Sequence, residues 1–402
     1  MKKFVKKFFE KLTEGILFLS STVTTLAIVL MVIFLFREGY GLFGKSPVEE
    51  GSVIVISKNN PVQNLKGSDI KKIFDQEVTN WKSLGGKDDS IILFRFNDIS
   101  KYYTDSMLGA SFELIPQRLN ELIVANPGII AFFPKRYLYN PFAGKLIDVG
   151  TISVGSFFSG EEWYPTAQPA AQFGILPLIL GTLWVSFGAI LIALPLGLAT
   201  AIYLAEIASK RIRNILKPVI ELLAGIPSVV FGFFGLIIIV PLIQQLFDLP
   251  VGETGLAGSI ILGIMALPTV ITISEDALRT TPKAMKEASL ALGANRWQTI
   301  ARVVIPYSIS GIAAAAILGI GRAMGETMAV LMVTGNAAVI PHTLLAPVRT
   351  IPATIAAELG EAAQGGLHYK SLFALGCVLF VITLITNLLV EFVARRRKGA
   401  RQ

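Results

Sequence analysis

Six long apolar runs, separated by polar or basic segments, set the pattern of this 402-residue chain. They occupy residues 15–36, 174–204, 219–247, 255–274, 308–333 and 372–393. A helix of about 20 residues spans a hydrocarbon layer about 30 Å thick, so the runs predict six transmembrane helices. Lysines precede the first run, as they precede the core of a signal peptide. That run is too long for such a core and no small-x-small cleavage site follows it, so it reads as a retained span. Pro177, Pro195 and Pro241 lie inside runs, which is tolerated where neighbouring helices satisfy the freed backbone groups. Ala224-Gly225-Ile226-Pro227-Ser228 reads as a kink or an unwound turn.

Residues 37–173 carry a different pattern, soluble in character from about 51 to 150. Short β-type runs at 53–56, 91–94 and 129–133 alternate with helical stretches, one ending near Phe74 with Ser68 or Asp69 as its cap, another over about 100–108. Strands alternating with helices predict a small α/β insert. The predicted fold class is therefore an all-α polytopic membrane protein with a small α/β domain inserted between its first and second spans.

Residues 280–307 break the apolar pattern with a basic, small-residue stretch that predicts two short helices and a sharp turn. Thr281 is placed to cap the first, with Pro282 at its first helical position. Gly293 provides a left-handed stop. Asn295 and Gln298 form a capping-box pattern for the second. Trp297, Ile300, Ala301 and Val304 line one face of it, and Pro306 opens the next element. Such a hairpin is either packing at a membrane surface or a docking lever for a soluble partner.

In the fifth run, Arg322 and Glu326 are four apart and are predicted to share a helix face. A lone arginine at the centre of a span costs about 2.5–3.5 kcal/mol on insertion scales. The two side chains read as an internal ion pair fixing helix register or as an anion path, with Arg322 presenting a planar donor fork to an oxyanion and Glu326 weakening that attraction enough for release. Gly321 and Gly325 form a G-x-x-x-G step for close helix approach.

Composition agrees with a membrane protein: 53% of residues are hydrophobic and 16% charged, where soluble domains carry about 25% charged. The formal charge of +8 calls for no nucleic acid, because the excess sits beside apolar runs: Lys2, Lys3, Lys6, Lys7 and Lys11; Lys210, Arg211, Arg213 and Lys217; Arg395, Arg396, Arg397, Lys398 and Arg401. Basic clusters mark cytoplasmic helix ends. With residues 1–14 inside, six spans put all three clusters, the 280–307 loop and the 394–402 tail on one side, and 37–173 on the other. The single Cys377 excludes an intrachain disulfide. His342 and His368 have no acidic or Cys partner at metal-ligand spacing, so no metal site is expected. Gly39 to Ser46 fits the phosphate-loop pattern G-x-x-x-x-G-K-S in letters. A working loop needs a strand before it and a helix after it, whereas a span precedes this one and Pro47 follows it. It reads as a linker.

The 280–307 stretch is also where a family resemblance appears. Glu287-Ala288-Ser289, three residues, Gly293, nine residues and then Val303-Val304-Ile305-Pro306 resemble the EAA loop of ABC importer permeases, whose pattern is E-A-A, three residues, G, nine residues, I-x-L-P. Ser289, Val303 and Ile305 are small departures from it. Residues 181–393 resemble the permeases of phosphate importers, the PstC type of the MetI-like group of binding-protein-dependent inner-membrane components. The likeness is strongest over 222–236, 273–293 and 319–336; Pro347-Val348-Arg349-Thr350 and Leu367-His368-Tyr369 also fit. It implies a MetI-like core at 174–393 and a non-enzymatic, cofactor-free subunit of an importer for inorganic phosphate in the cytoplasmic membrane. It implies contact with lipid, a second related permease of the PstA type in a heterodimer, a dimeric ATP-binding subunit of the PstB type, and an extracytoplasmic binding protein of the PstS type. Glu287, Ala288, Ser289, Gly293, Ile305 and Pro306 would couple to the ATPase. Another oxyanion, sulfate or molybdate, and a membrane-anchored phosphate sensor are the alternatives; a sensor has no use for an ATPase lever.

The insert resembles part of a phosphate-type periplasmic binding protein through Asn60-Pro61-Val62, Ile73-Phe74, Thr79 to Gly86 and Asn126 to Ile130. In those proteins an arginine followed by a Gly-Ser-Gly-Thr type turn holds the oxyanion. Here Arg95 is followed by Phe96-Asn97-Asp98-Ile99-Ser100-Lys101, without the glycines and with a negative charge added, so a docking or regulatory role is expected in place of phosphate binding.

Overall fold

The computed structural model describes residues 2–399, and the side chains of residues 11–389, 391 and 392. The lysines before residue 11 and the arginines from 395 onward therefore lie outside the described side chains, and Arg401 outside the described chain. The chain divides into two compact units, residues 42–176 and the remainder.

In the first unit, β1 (Ser52–Ser57), β2 (Ile92–Arg95), β3 (Ile129–Pro134) and β4 (Gly144–Leu146) form one sheet in the order β2-β3-β1-β4. β1 runs antiparallel to both neighbours, whereas β2 and β3 are parallel. Successive strand residues point to opposite faces, and here both faces are covered. Ile54, Ile56, Ile130 and Phe132 meet Ile70, Ile73 and Phe74 of α2 (Gly67–Phe74) and the buried Trp81. Val55, Phe94, Ile129, Ala131 and Phe133 meet Leu119, Leu122 and Ile123 of α3 (Ile115–Ala125). The result is a three-layer α/β/α sandwich. Trp81 Nε1 donates to Gly128 O at 2.8 Å, tying the 81–84 turn to the loop before β3.

Two local expectations change. Lys66 takes the cap position of α2, and Asp69 sits three residues in, where its carboxylate accepts the Lys66 N–H at 3.1 Å. The helix expected over 100–108 is two single turns, Ile99–Tyr102 and Asp105–Leu108. α3, β4 and a short pair, β5 (Trp163–Tyr164) with β6 (Gln172–Phe173), were not read from the pattern.

In the second unit, six helices are long and apolar enough to cross a membrane. The first, α1 (Lys2–Tyr40), runs beside the last helix: Phe34 and Phe373 meet edge to face at 5.6 Å, and Phe36 and Phe380 at 6.1 Å. α4 (Leu176–Ile202) passes through Pro195 and ends in a π turn, Tyr203–Ile207. α5 (Lys210–Ala224) is a separate helix capped by Ser209. The third span therefore starts at Ser228, not at residue 219, as α6 (Ser228–Phe247), and 225–227 is a true helix break. α7 (Gly255–Arg279) is the most enclosed span. After α8 (Lys283–Ala291), one continuous helix, α9 (Arg296–Gly325), forms the fifth span, followed by the short α10 (Met328–Val333) and α11 (Ile351–Glu358). α12 (Leu367–Gly399) is the last. Val185, Ile261, Leu262, Met265, Val330 and Val333 form the central core.

Where two spans pack closely, small residues are needed between the backbones. A Cβ at Gly311 of α9 would lie 2.3 Å from Ala277 Cβ of α7, and one at Gly319 would lie 3.1 Å from Val270 Cγ2. Ala315, between them, is fully buried. The close-approach stripe is thus Gly311-Ala315-Gly319. The expected Gly321–Gly325 step is open: a Cβ at Gly325 would meet nothing within 4 Å, and one at Gly321 only Asn387 Oδ1, at 4.0 Å.

Candidate functional site

The 280–307 loop is a helical hairpin held by its own backbone. α8 ends in a Schellman arrangement: Gly293 N–H donates to Leu290 O at 2.9 Å and Ala294 N–H to Ser289 O at 3.2 Å, with Gly293 at φ +88°. Asn295 Oδ1 accepts from Gln298 N–H at 2.8 Å, and Gln298 Oε1 from Asn295 N–H at 2.9 Å, closing the expected capping box. Ser289 Oγ lies 3.0 Å from Thr299 Oγ1, joining the two arms. Pro282, not Thr281, takes the cap position of α8; Thr281 is buried, its Oγ1 3.2 Å from Ser308 Oγ.

Glu287 and Ala288 are exposed, while Ile305 and Pro306 are half-buried. Pro306 does not open a new element. A proline ring crowds the carbonyl four residues back; the preceding residues Ile300–Val304 form a wider π turn, and the helix runs on. The expected apolar face of the second arm is divided. Ile300 and Val304 are buried, but Ala301 is exposed and Trp297 is 67% exposed. With Met285, Leu290 and the 89% exposed Leu292, Trp297 leaves large apolar side chains bare on the hairpin. Large apolar side chains left bare in this way are available to a partner.

Arg322 and Glu326 do not share a helix face. α9 stops at Gly325; Glu326 is in extended conformation, and its Oε1 accepts the Thr327 N–H at 3.1 Å. Arg322, in the last turn, is exposed and makes no ion pair or hydrogen bond among the described residues, whereas Glu326 is half-buried. The two therefore stand at a break between α9 and α10, not on a closed internal pair. The break leaves a cationic fork free at a helix end within an apolar span.

Two charged clusters escaped the reading of the pattern. The Glu275 carboxylate, 1% exposed, accepts Arg213 Nε at 2.7 Å, with Lys217 Nζ at 3.3 Å and Arg279 Nη1 at 3.5 Å. Lys286 of α8 pairs with Glu206 of the π turn after α4. At the other end of the unit, Glu358 joins Arg349 Nη1 at 2.9 Å and His368 Nε2 at 2.9 Å, and Arg349 Nε donates to Asn336 O. An acidic residue at the end of an apolar run and two cations four apart on a helix were the available signals.

In the insert, Arg95 is committed elsewhere: its Nη2 donates to Phe74 O at 2.9 Å and its guanidinium sits 5.3 Å from the centre of the Phe74 ring. The Lys101 ammonium, 2.7 Å away, holds the Asp98 carboxyl below its usual range; partial burial opposes this, and the Arg95 N–H adds to the lowering. Asp98 is therefore negative at neutral pH where an oxyanion would need donors. Gly39 and Tyr40 of the phosphate-loop pattern end α1, and residues 41–45 are turns, so the strand-loop-helix setting is missing.

Comparison with known proteins adds two family matches. Residues 193–399 match the family described as binding-protein-dependent transport system inner membrane component, and residues 44–169 match a PBP superfamily domain. The chain is 41% identical over 250 residues to the probable ABC transporter permease protein YqgH of Bacillus subtilis, covering 62% of this chain and 81% of that one. It is 40% identical over 281 residues to the phosphate transport system permease protein PstC of Mesorhizobium japonicum, covering 64% and 84%. Among solved structures, an inward-facing form of the MetNI methionine ABC transporter aligns with 56% of this chain and 95% of its own at 18% identity, with a TM-score of 0.44.

Proposed function

The chain belongs to the family of binding-protein-dependent transport system inner membrane components, and from that premise we propose that it is the permease subunit through which an ATP-driven importer moves inorganic phosphate. The observation that carries the cargo is the 40% identity to a phosphate transport system permease across 84% of that relative's length. The bare apolar side chains of 280–307 support the driving partner: Met285, Leu290, Leu292 and Trp297 suit a groove on a separate ATP-binding subunit, and Glu287 is exposed on the same hairpin.

One hairpin fits one groove, so a dimeric ATPase requires two permeases; a related but different one, of the PstA type, would complete a heterodimer. The basic residues beside α1, α5 and the C-terminal end of α12 favour a cytoplasmic side for both termini and for the hairpin. The insert then faces the opposite side, where a phosphate-binding protein delivers cargo. Arg322 would attract phosphate at the helix break, and Glu326 would limit how tightly it is held.

Purification of the tagged chain from membranes, followed by identification of its co-purifying subunits, tests the assembly. An ATP-binding subunit and a second permease are expected; recovery of the chain alone or with a signalling kinase would favour the sensor reading instead. Calorimetry on the 42–176 unit tests the insert: no phosphate binding at micromolar concentration is expected, because Arg95 and Asp98 are both otherwise engaged.

A further inference from the structure

We propose that Glu275 is a positioning residue for transport: it locks α5 to the end of α7, so that the 280–307 hairpin and the start of the third span move as one body. The inference rests on the reading above that the hairpin receives motion from an ATPase.

Chain connectivity fixes where α5 lies. The second span ends at Ile207 and the third begins at Ser228. Each end of α5 is thus only three or four residues from a membrane-crossing helix, a reach of about 10–14 Å at most. A helix of 15 residues is about 22 Å long, so with both ends held at one membrane surface it runs along that surface.

Its exposed face is rich in apolar side chains, and its inward stripe mixes two cations with Leu216 and Ile220. Ile212, Ile215, Val219 and Leu222 are exposed, while Arg213 and Lys217 turn inward and are half-buried. No residue of α5 is fully buried. Apolar packing within the chain is therefore only partial, through the half-buried Leu216 and Ile220, and the charges of Arg213 and Lys217 add the specific tie. The buried Glu275 carboxylate has its Oε1 on Arg213 and Arg279 and its Oε2 on Lys217, which also reaches Asp276 at 3.5 Å. A carboxylate at this depth must be paired to remain charged, and two of its three cations come from α5.

Glu275 sits one turn before the C-terminal end of α7, at the entry to the hairpin. A second tie, Lys286 to Glu206, fastens the hairpin to the residues just ahead of α5. Motion entering at α8 thus reaches α5 by two routes and leaves it at the 225–227 break, where the third span begins.

The test uses the complete complex in proteoliposomes, with phosphate uptake and ATP hydrolysis measured together. Glu275→Gln is expected to assemble and to keep binding-protein-stimulated hydrolysis while uptake falls, so that ATP spent per phosphate rises about fivefold or more. Glu275→Asp should recover much of the loss. The double variant Arg213→Gln/Lys217→Gln should reproduce the defect from α5, and it keeps the test available if Glu275→Gln does not assemble. A parallel fall of uptake and hydrolysis, or no change in their ratio, overturns the proposal.

A second readout does not depend on the cargo. With Cys377 replaced by serine, spin labels at positions 214 and 283 report the separation of α5 from the hairpin. The wild-type distance should stay within about 2 Å between nucleotide-free and ATP-trapped complexes, the scale of ordinary helix shifts, and should broaden in Glu275→Gln. A wild-type change above about 4 Å overturns the proposal. A wild-type complex that imports no phosphate but holds this distance fixed would sink the phosphate reading and leave the lock standing.

Discussion

At the residue scale, the charges at 322 and 326 show how far a sequence pattern reaches. Spacing of four puts two side chains on one face only while the helix continues, and α9 stops at Gly325, between them. What sequence could not convey is that the Glu326 carboxylate would satisfy the Thr327 N–H just past that end. The consequence is specific. Arg322→Gln should lower uptake by more than about tenfold, and Arg322→Lys should recover little, since an ammonium lacks the planar fork. The charge exchange Arg322→Glu/Glu326→Arg should stay inactive in a normally assembled complex, because an arginine at 326 cannot accept the Thr327 N–H and the path loses its cation at 322. Uptake near wild type in the exchanged variant would return the pair to a register clamp. The Glu275 cluster was hidden for a related reason: Arg279 lies only one turn away, but the other two partners, Arg213 and Lys217, come from α5, 62 and 58 residues away in sequence, a distance that no local pattern bridges.

At the scale of elements, local chemistry was the most legible. The Gly293 stop and the Asn295–Gln298 box lie where capping rules put them, because backbone groups within a few residues decide both. The errors arose where tertiary packing decides. Trp297, Ile300, Ala301 and Val304 were placed on one face of the second arm, yet of these only Ile300 and Val304 are buried within the chain. The small-residue step was assigned to Gly321 and Gly325, but contact with α7 selects Gly311, Ala315 and Gly319. Gly293→Ala strains a left-handed residue and should destabilise the hairpin by about 1 kcal/mol. Gly293→Pro also removes the N–H that binds Leu290 O, and should abolish uptake, as should Glu287→Arg, while leaving the chain folded; undiminished uptake in Gly293→Pro and Glu287→Arg would contradict the lever. Gly311→Val should destabilise the α7–α9 contact by about 1–3 kcal/mol, seen as a lower melting temperature in detergent, whereas Gly325→Ala should leave that temperature unchanged.

At the scale of the whole molecule, length and apolarity announced six membrane-crossing helices, and strand-type runs alternating with helical ones announced an α/β insert. The membrane interior admits few backbone solutions besides the helix, which is why the span count was easier to read than the insert, where α3 and β4 were missed. The same logic could not separate the third span from α5: α5 is basic at its start, but its last turns, from Val219, run apolar into the span, and the helix break at 225–227 divides them. Function at this scale is shared, since the chain contributes a path and a hairpin while cargo capture and ATP hydrolysis fall to partners. The most direct measurement is labelled phosphate uptake by proteoliposomes holding this chain, its permease partner and the ATP-binding subunit, with binding protein outside and ATP inside. Uptake should require ATP and the binding protein, and excess sulfate or molybdate should not compete. Uptake of sulfate or molybdate in preference to phosphate, or phosphate entry that proceeds without ATP, would contradict the account.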